Sequence, residues 1–288
     1  MVEKWKSLVP MRRRSHYMYD KLFPPKKILL SNGKVVHKKR SRAPFITILV
    51  AIAIYLSAYY TEFSFYTIFT RIHNFFDIII AMIPPDWGYI NHLWKPLMDT
   101  IKMSLIGSLI GAVLVLPLAV LASVNIVPNK STAAIFKVIL SLIRTLPTLV
   151  TALIATFIFG LGPIAGSIAI LIFTVGYVGK LLYEQIENAE MGSFEAMESI
   201  GMTRFQAFRY AIFPQVLPSY LSTSLFCFEG NVRYAAILGF VGAGGIGLLL
   251  NQDLGWRNYS GVGMTILALV VTVFIIEQIS EYFRRKLI

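Results

Sequence analysis

From residue 43 onward, runs of apolar residues are separated by short polar breaks. A bilayer core about 30 Å thick takes roughly 20 apolar helical residues to cross, and several of these runs reach that length. The pattern predicts six transmembrane helices. The first covers Pro44 to Tyr60, the second Asp99 to Ala122, and the third Ala133 to Gly160 with a kink at Pro147. The fourth runs from the Gly162-Pro163 turn to Leu182, the fifth from Val216 to Leu238, and the sixth from Val262 to Tyr282. Residues 62 to 83 are apolar in places but carry Glu62, Arg71, His73 and Asp77. That amphipathic pattern suits the outer membrane surface better than a crossing. Pro84-Pro85-Asp86-Trp87 breaks the stretch, and Trp87, Tyr89 and Trp94 suit an interfacial belt. Gly107 and Gly111, four apart on the second span, permit close helix contact.

Composition agrees with a membrane protein: 56% of the residues are hydrophobic and 15% charged, against about 25% charged in soluble domains. The net charge of +12 invites a nucleic-acid reading, but its distribution argues otherwise. Thirteen of the 27 Lys and Arg stand in residues 1 to 42 beside only Glu3 and Asp20. Such clustering marks the cytoplasmic side of membrane spans and carries little information about substrate charge. Residues 1 to 42 are therefore expected to be a basic cytoplasmic extension, and residues 43 to 288 the membrane domain. Arg12-Arg13-Arg14 precedes no apolar run for about 30 residues, unlike a twin-arginine export signal. Cys227 is the one cysteine, so an intrachain disulfide and a CxxC metal site are excluded. In the extension, Asn32-Gly33 separates two short apolar runs, which fits either a small hairpin or a plain tail.

The most polar block after the N-terminus is residues 183 to 214. With the N-terminus inside, six crossings put the basic FRRKLI terminus inside as well, and this block in the cytoplasm. Ser193 is expected to cap a short helix with Glu195 in its first turn, and Gly201 to break it. Thr203 and Gln206 stand at capping-box spacing for a second helix, with Phe205, Phe208 and Ile212 on one face and Pro214 as its stop. Two short amphipathic helices at an angle fit a partner's groove; an ordinary solvated loop is the alternative.

The series Glu195-Ala196-Met197, three residues, Gly201, nine residues, then Ala211-Ile212-Phe213-Pro214 resembles the EAA signature of bacterial ABC importer permeases, E-A-A-x3-G-x9-I-x-L-P. Glu195, Ala196, Gly201 and Pro214 match it, while Met197, Ala211 and Phe213 depart from it and remain apolar. In that family the segment forms coupling helices seated in a cleft of the ATPase, which implies contact and hinge roles for Glu195 and Gly201.

Gly242, Gly244 and Gly247 in GFVGAGGIG satisfy the dinucleotide spacing G-x-G-x-x-G. That fingerprint needs a strand before it within a βαβ unit, whereas RYAAILGF completes a membrane span. Glycines at membrane depth instead permit irregular or re-entrant backbone. The run FEGNVRYAAILGFVGAGGIG, with LIRTLPTLV and PPDW, resembles permeases of phosphonate-type ABC importers over about residues 84 to 288. Methionine-type permeases share the glycine-rich ending. The resemblance implies an all-α, polytopic permease of type I fold with both termini cytoplasmic, working as a homodimer by alternating access. It implies two cytoplasmic ABC ATPases that bind ATP and Mg, and an extracytoplasmic binding protein. It also implies that this chain itself holds no cofactor and binds no nucleic acid.

Glu229 and Arg233 stand four apart on the fifth span, so they can pair along one face. Ionisable residues in a span face an interior or a water-filled path. Arg233 then belongs to an anion's route or gate, with Glu229, Asn231, Gly242, Gly244 and Gly245, or the pair is a self-neutralising structural contact. Lys102, Lys137 and Arg144 near span ends suit snorkelling to headgroups. A membrane-embedded enzyme is the rival class, but His16, His37, His73 and His92 lie scattered outside the spans and no H-E-x-x-H occurs. A passive channel would have no use for residues 183 to 214. No G-x-x-x-x-G-K-[ST] loop is present, so any ATP hydrolysis belongs to a partner.

Overall fold

A computed structural model describes Lys27–Leu29, Val35–His37 and residues 43–287. Contacts divide the chain into two units, residues 1–72 and 73–288. In the first, strands β1 (Lys27–Leu29) and β2 (Val35–His37) pair antiparallel with Lys27 opposite His37, as a hairpin requires. The Asn32-Gly33 turn itself lies outside the described residues. Helix α1 (Ala43–Tyr60) follows. It has proline only in its first turn, where a missing N–H costs no helical bond. Helix α2 (Phe65–Ala81) forms from the amphipathic stretch and has no buried residue.

The second unit is built on α3 (Ile90–Ala122), which begins nine residues before the expected start and runs through Pro96 and Pro117. It packs on α6 (Pro163–Glu187). The small residues decide how closely. A β-carbon on Gly107 would stand 2.6 Å from the Ser167 carbonyl oxygen, and one on Gly111 would stand 2.8 Å from Thr174 Cβ. Both glycines therefore act as expected of small-xxx-small spacing.

The expected third span is two helices, α4 (Lys130–Thr145) and α5 (Thr148–Phe159), bent by 88° and not merely kinked. Leu146 and Pro147 are both extended (ψ 121° and 131°), because proline's ring forces the preceding residue out of the helical region. Lys137 on α4 pairs with Glu187 at 2.7 Å and lies over the Tyr183 ring.

Beyond α6 come α7 (Gly192–Ser199), α8 (Arg204–Ala207), a π-helical turn (Phe208–Ile212) and α9 (Phe213–Leu238). Pro214 does not stop the helix, contrary to expectation. The Phe213 N–H reaches back five residues to the Phe208 carbonyl, and that wider turn brings Pro214 into the first turn of α9, where proline is tolerated. The glycine-rich stretch holds a helix the sequence did not announce, α10 (Ile246–Gly255), before α11 (Tyr259–Leu287).

Among the described residues, four stretches are long and apolar enough to cross a membrane: Trp87–Ala122, Pro163–Glu187, Arg204–Val241 and Tyr259–Leu287. The number rises to six if each of two bent helix pairs counts as one span. The fold is thus a nearly all-helical, polytopic membrane architecture.

Candidate coupling loop and translocation path

The polar block forms an elbow. Helix α7 ends at Ser199, Gly201 follows with a φ of +91° that a residue with a side chain rarely adopts, and Thr203 then caps α8. The expected capping box is present: the Gln206 N–H donates to Thr203 Oγ1, and the Thr203 N–H donates to Gln206 Oε1 at 3.0 Å. Ser193 is not the cap of α7. Met191 occupies that position without a side-chain bond, and Ser193 lies inside the helix. Glu195 is in the first turn, as expected.

The elbow is fixed to the spans at its base. Phe194 is 2% exposed and joins a core made by α3, α6, the π-helical turn and α9, including Val115, Val178, Leu182, Ile212 and Val216. Burial of such a ring stabilises by about 1.5–3 kcal/mol. Arg204 pairs with Glu198 at 3.0 Å across the elbow and donates to the Ile126 carbonyl. Gln215 and Glu190 exchange hydrogen bonds, and Glu187 accepts from the Val124 N–H.

The outer side of the elbow is unlike an ordinary loop. Ile200 is 76% and Phe205 70% exposed, beside the exposed Glu195, Ala196 and Gly201. Met197 is half-buried and Pro214 exposed. Phe205 is more exposed than Phe208 and Ile212, and together with Phe208 it lines an apolar groove of about 430 Å³ with Pro117, Val120, Leu182 and Phe213. Exposed apolar residues beside polar ones, on an elbow anchored at its base, are what a protein partner recognises.

These features sit in a recognised family. Residues 115–288 match the family described as "Binding-protein-dependent transport system inner membrane component". The chain belongs to this family. It is 31% identical over 260 residues to a putative phosphite transport system permease of Stutzerimonas stutzeri, covering 89% of this chain and 91% of that one. It is also 31% identical over 222 residues to a phosphate-import permease of Mycolicibacterium smegmatis, covering 77% of this chain and 42% of that one. Among solved structures, the inward-facing MetNI methionine ABC transporter superposes with a TM-score of 0.61 at 22% identity, over 68% of this chain and 96% of that one. That likeness supports the type I permease fold. This inner-membrane transport component is therefore a multi-pass protein of the bacterial membrane.

Within its spans, Glu229 and Arg233 pair as the spacing predicts, at 2.6 Å. Arg284 of α11 adds a second guanidinium 3.5 Å from the same carboxylate. No sequence signal announced that contact, because Arg284 belongs to the basic run at the C-terminus. Asn231 points elsewhere: it is 1% exposed and its amide donates to Ser108 Oγ at 2.8 Å and Thr174 Oγ1 at 3.0 Å. It ties α9 to α3 and α6.

The glycines take φ values of +80°, +77° and +74° at Gly242, Gly244 and Gly245. Their backbone turns against the Gly162-Pro163 turn. The Gly162 N–H donates to the Gly242 carbonyl at 3.0 Å, and a β-carbon on Gly244 would stand 2.9 Å from the Pro163 nitrogen. Helix α10 is then held at both ends. The Ile246 N–H donates to Thr100 Oγ1 at 2.7 Å, and Tyr89 Oη donates to the buried Asp253 carboxylate at 2.7 Å. Among the described residues, Tyr89→Phe leaves that carboxylate with only the 3.4 Å contact from Asn258. It is expected to destabilise the protein by about 1–3 kcal/mol, read as a lower unfolding midpoint in detergent. An unchanged midpoint would remove Tyr89 from the anchorage of α10.

Proposed function

We propose that this chain is the permease subunit of an ATP-driven importer for a phosphorus oxyanion such as phosphite, a phosphonate or phosphate. The observation that carries the reading is the elbow at residues 192–208, anchored in the core of three spans and exposing Ile200 and Phe205. The phosphite and phosphate permeases among its relatives support the substrate class. In this reading both termini and the elbow are cytoplasmic, and two copies of the chain pair around one path. Each elbow seats in one of two ABC ATPases, which bind ATP and Mg and carry out hydrolysis. Glu195, Ala196, Met197 and the Gly201 hinge make the coupling contact, and the turn before Pro214 transmits it to α9. A binding protein delivers the anion on the outer side.

Of the path candidates, Arg233 is half-exposed while Glu229 and Asn231 are buried. Arg233 is therefore the side chain offered to the path. Glu229 positions it, and Asn231, Gly242, Gly244 and Gly245 shape the surrounding scaffold.

The test is ATPase activity and uptake by the reconstituted complex in proteoliposomes, with binding proteins loaded with phosphite, methylphosphonate, phosphate or methionine. Stimulation and uptake are expected with a phosphorus compound and not with methionine. Stimulation by the methionine-loaded protein alone would overturn the substrate class. Uptake that proceeds without ATP would overturn the importer.

A further inference from the structure

Two guanidiniums share one carboxylate where α9 meets α11. Glu229 is 4% exposed; its Oε1 accepts from Arg233 at 2.6 Å and its Oε2 faces Arg284 at 3.5 Å. The three groups carry one net positive charge in a membrane-embedded setting, where an uncompensated charge is costly and marks an ion path. Each arginine meets the carboxylate through a single terminal nitrogen. A guanidinium has five donors arranged as a planar fork suited to two oxygens at once. Neither fork is used that way here.

Two polar groups on α11 point to a missing acceptor. Arg284 Nε is buried without a hydrogen-bond partner, and so is the hydroxyl of Ser280, one turn earlier on α11 and 3% exposed. Buried polar atoms are rarely left unpaired in native proteins. A β-carbon on Gly230 would meet nothing within 4 Å, so the face of α9 one residue round from Glu229 is open. Arg233 is 52% exposed on its side chain, and Arg284 rests its guanidinium over the Phe226 ring at 5.5 Å.

We propose that Arg233 and Arg284, held over Glu229, form a two-guanidinium site that receives the phosphorus oxyanion during its passage. The proposal rests on the importer reading and deepens it. Glu229 keeps the two cations together when the path is empty. The looser 3.5 Å contact lets Arg284 turn to the anion while Arg233 stays paired, so that Glu229 prevents a trap too tight for release. Oxyanion oxygens also accept from Ser280.

The experiment uses the assembled transporter. In proteoliposomes, Arg284→Gln and Arg233→Gln are each expected to lower uptake about tenfold or more, as loss of a charge-assisted contact does, while ATPase stimulation by the loaded binding protein persists. Arg284→Lys, which keeps the charge and loses the fork, is expected to recover only part of the rate. The neutral triple E229Q/R233Q/R284Q separates this site from a structural ion pair. A structural pair no longer matters once all three charges are gone, so wild-type uptake by the triple would overturn the proposal. Failed wild-type uptake would instead overturn the importer reading.

A second measurement does not depend on variants of the buried groups. Inorganic phosphite is expected to broaden its 31P resonance with the delipidated wild-type complex in a phosphorus-free detergent, without binding protein, and not with Arg233→Gln. No broadening by wild type would overturn the proposal. Phosphatidylglycerol offers the same phosphate chemistry as phosphite. Binding of that lipid at Arg233 with none of phosphite would likewise overturn the site as one for cargo.

Discussion

Gly201→Pro is expected to leave the transporter assembled and hydrolysing ATP while uptake falls about tenfold or more, the ratio that 1–2 kcal/mol controls. Gly201 sits at φ +91°, and proline is locked near −65°. Its N–H donates to the Glu198 carbonyl at 3.0 Å, a bond proline cannot make. Nothing lies within 4 Å of a β-carbon there, so the injury is to the backbone path and not to packing. The bend between α7 and α8 must then open, and Ile200 and Phe205 lose their common placement. Phe194 stays in the core, which is why assembly survives. Gly201→Ala adds only the strain of a left-handed residue, on the order of 1–3 kcal/mol, and is expected to fall between proline and wild type. Glu195→Lys reverses an exposed charge in the first turn of α7 and is expected to uncouple in the same sense. Coupled, wild-type uptake by both Gly201→Pro and Glu195→Lys would remove the elbow from the coupling mechanism.

Gly247→Ala is expected to lower the unfolding midpoint by roughly 5–10 °C, equivalent to about 3 kcal/mol in a chain of this size. A β-carbon at Gly247 would stand 1.8 Å from the Ala236 carbonyl oxygen, and one at Gly239 would stand 2.3 Å from the Gly247 carbonyl carbon. Here α9 and α10 meet backbone to backbone, so no flexible side chain is available to move aside. The distances place the clash above ordinary overpacking. Gly192→Ala, with nothing within 4 Å, is the comparison and is expected to melt with the wild type. A Gly247→Ala protein that does the same would mean the two helices do not approach so closely. The same result bears on the glycine spacing that imitates a nucleotide loop: in this chain it allows contact between helices.

Several features of the candidate coupling loop are readable locally. Thr203 and Gln206 cap α8 because a capping box needs only four neighbouring residues. The break at Gly201 and the pair Glu229–Arg233 are equally local. The errors are of another kind. Pro214 reads as a stop, but whether a proline ends a helix depends on the turn before it, and the π-helical turn at Phe208–Ile212 changes the spacing. Ser193 has the chemistry of a cap, yet the cap position falls two residues earlier, at Met191. Phe205 shares an apolar groove with Phe208, as the periodicity suggests, but its 70% exposure could not be read from the sequence because burial depends on what packs over that groove.

The order of apolar runs, the polar block between them, the glycine spacings and the family signature all belong to the sequence, since each depends on neighbours within a few turns. They specify a membrane-spanning helical chain with a polar segment that carries the signature of the permease family. Other features needed residues far apart to meet: Arg284 at Glu229 across 55 positions, Tyr89 at Asp253 across 164, and Asn231 between Ser108 and Thr174. The 88° bend after Thr145 also became definite only in the folded chain. Local periodicity records which face of a helix is apolar. Which polar group answers a buried charge is set by the packing of one helix on another, and that exists only in three dimensions.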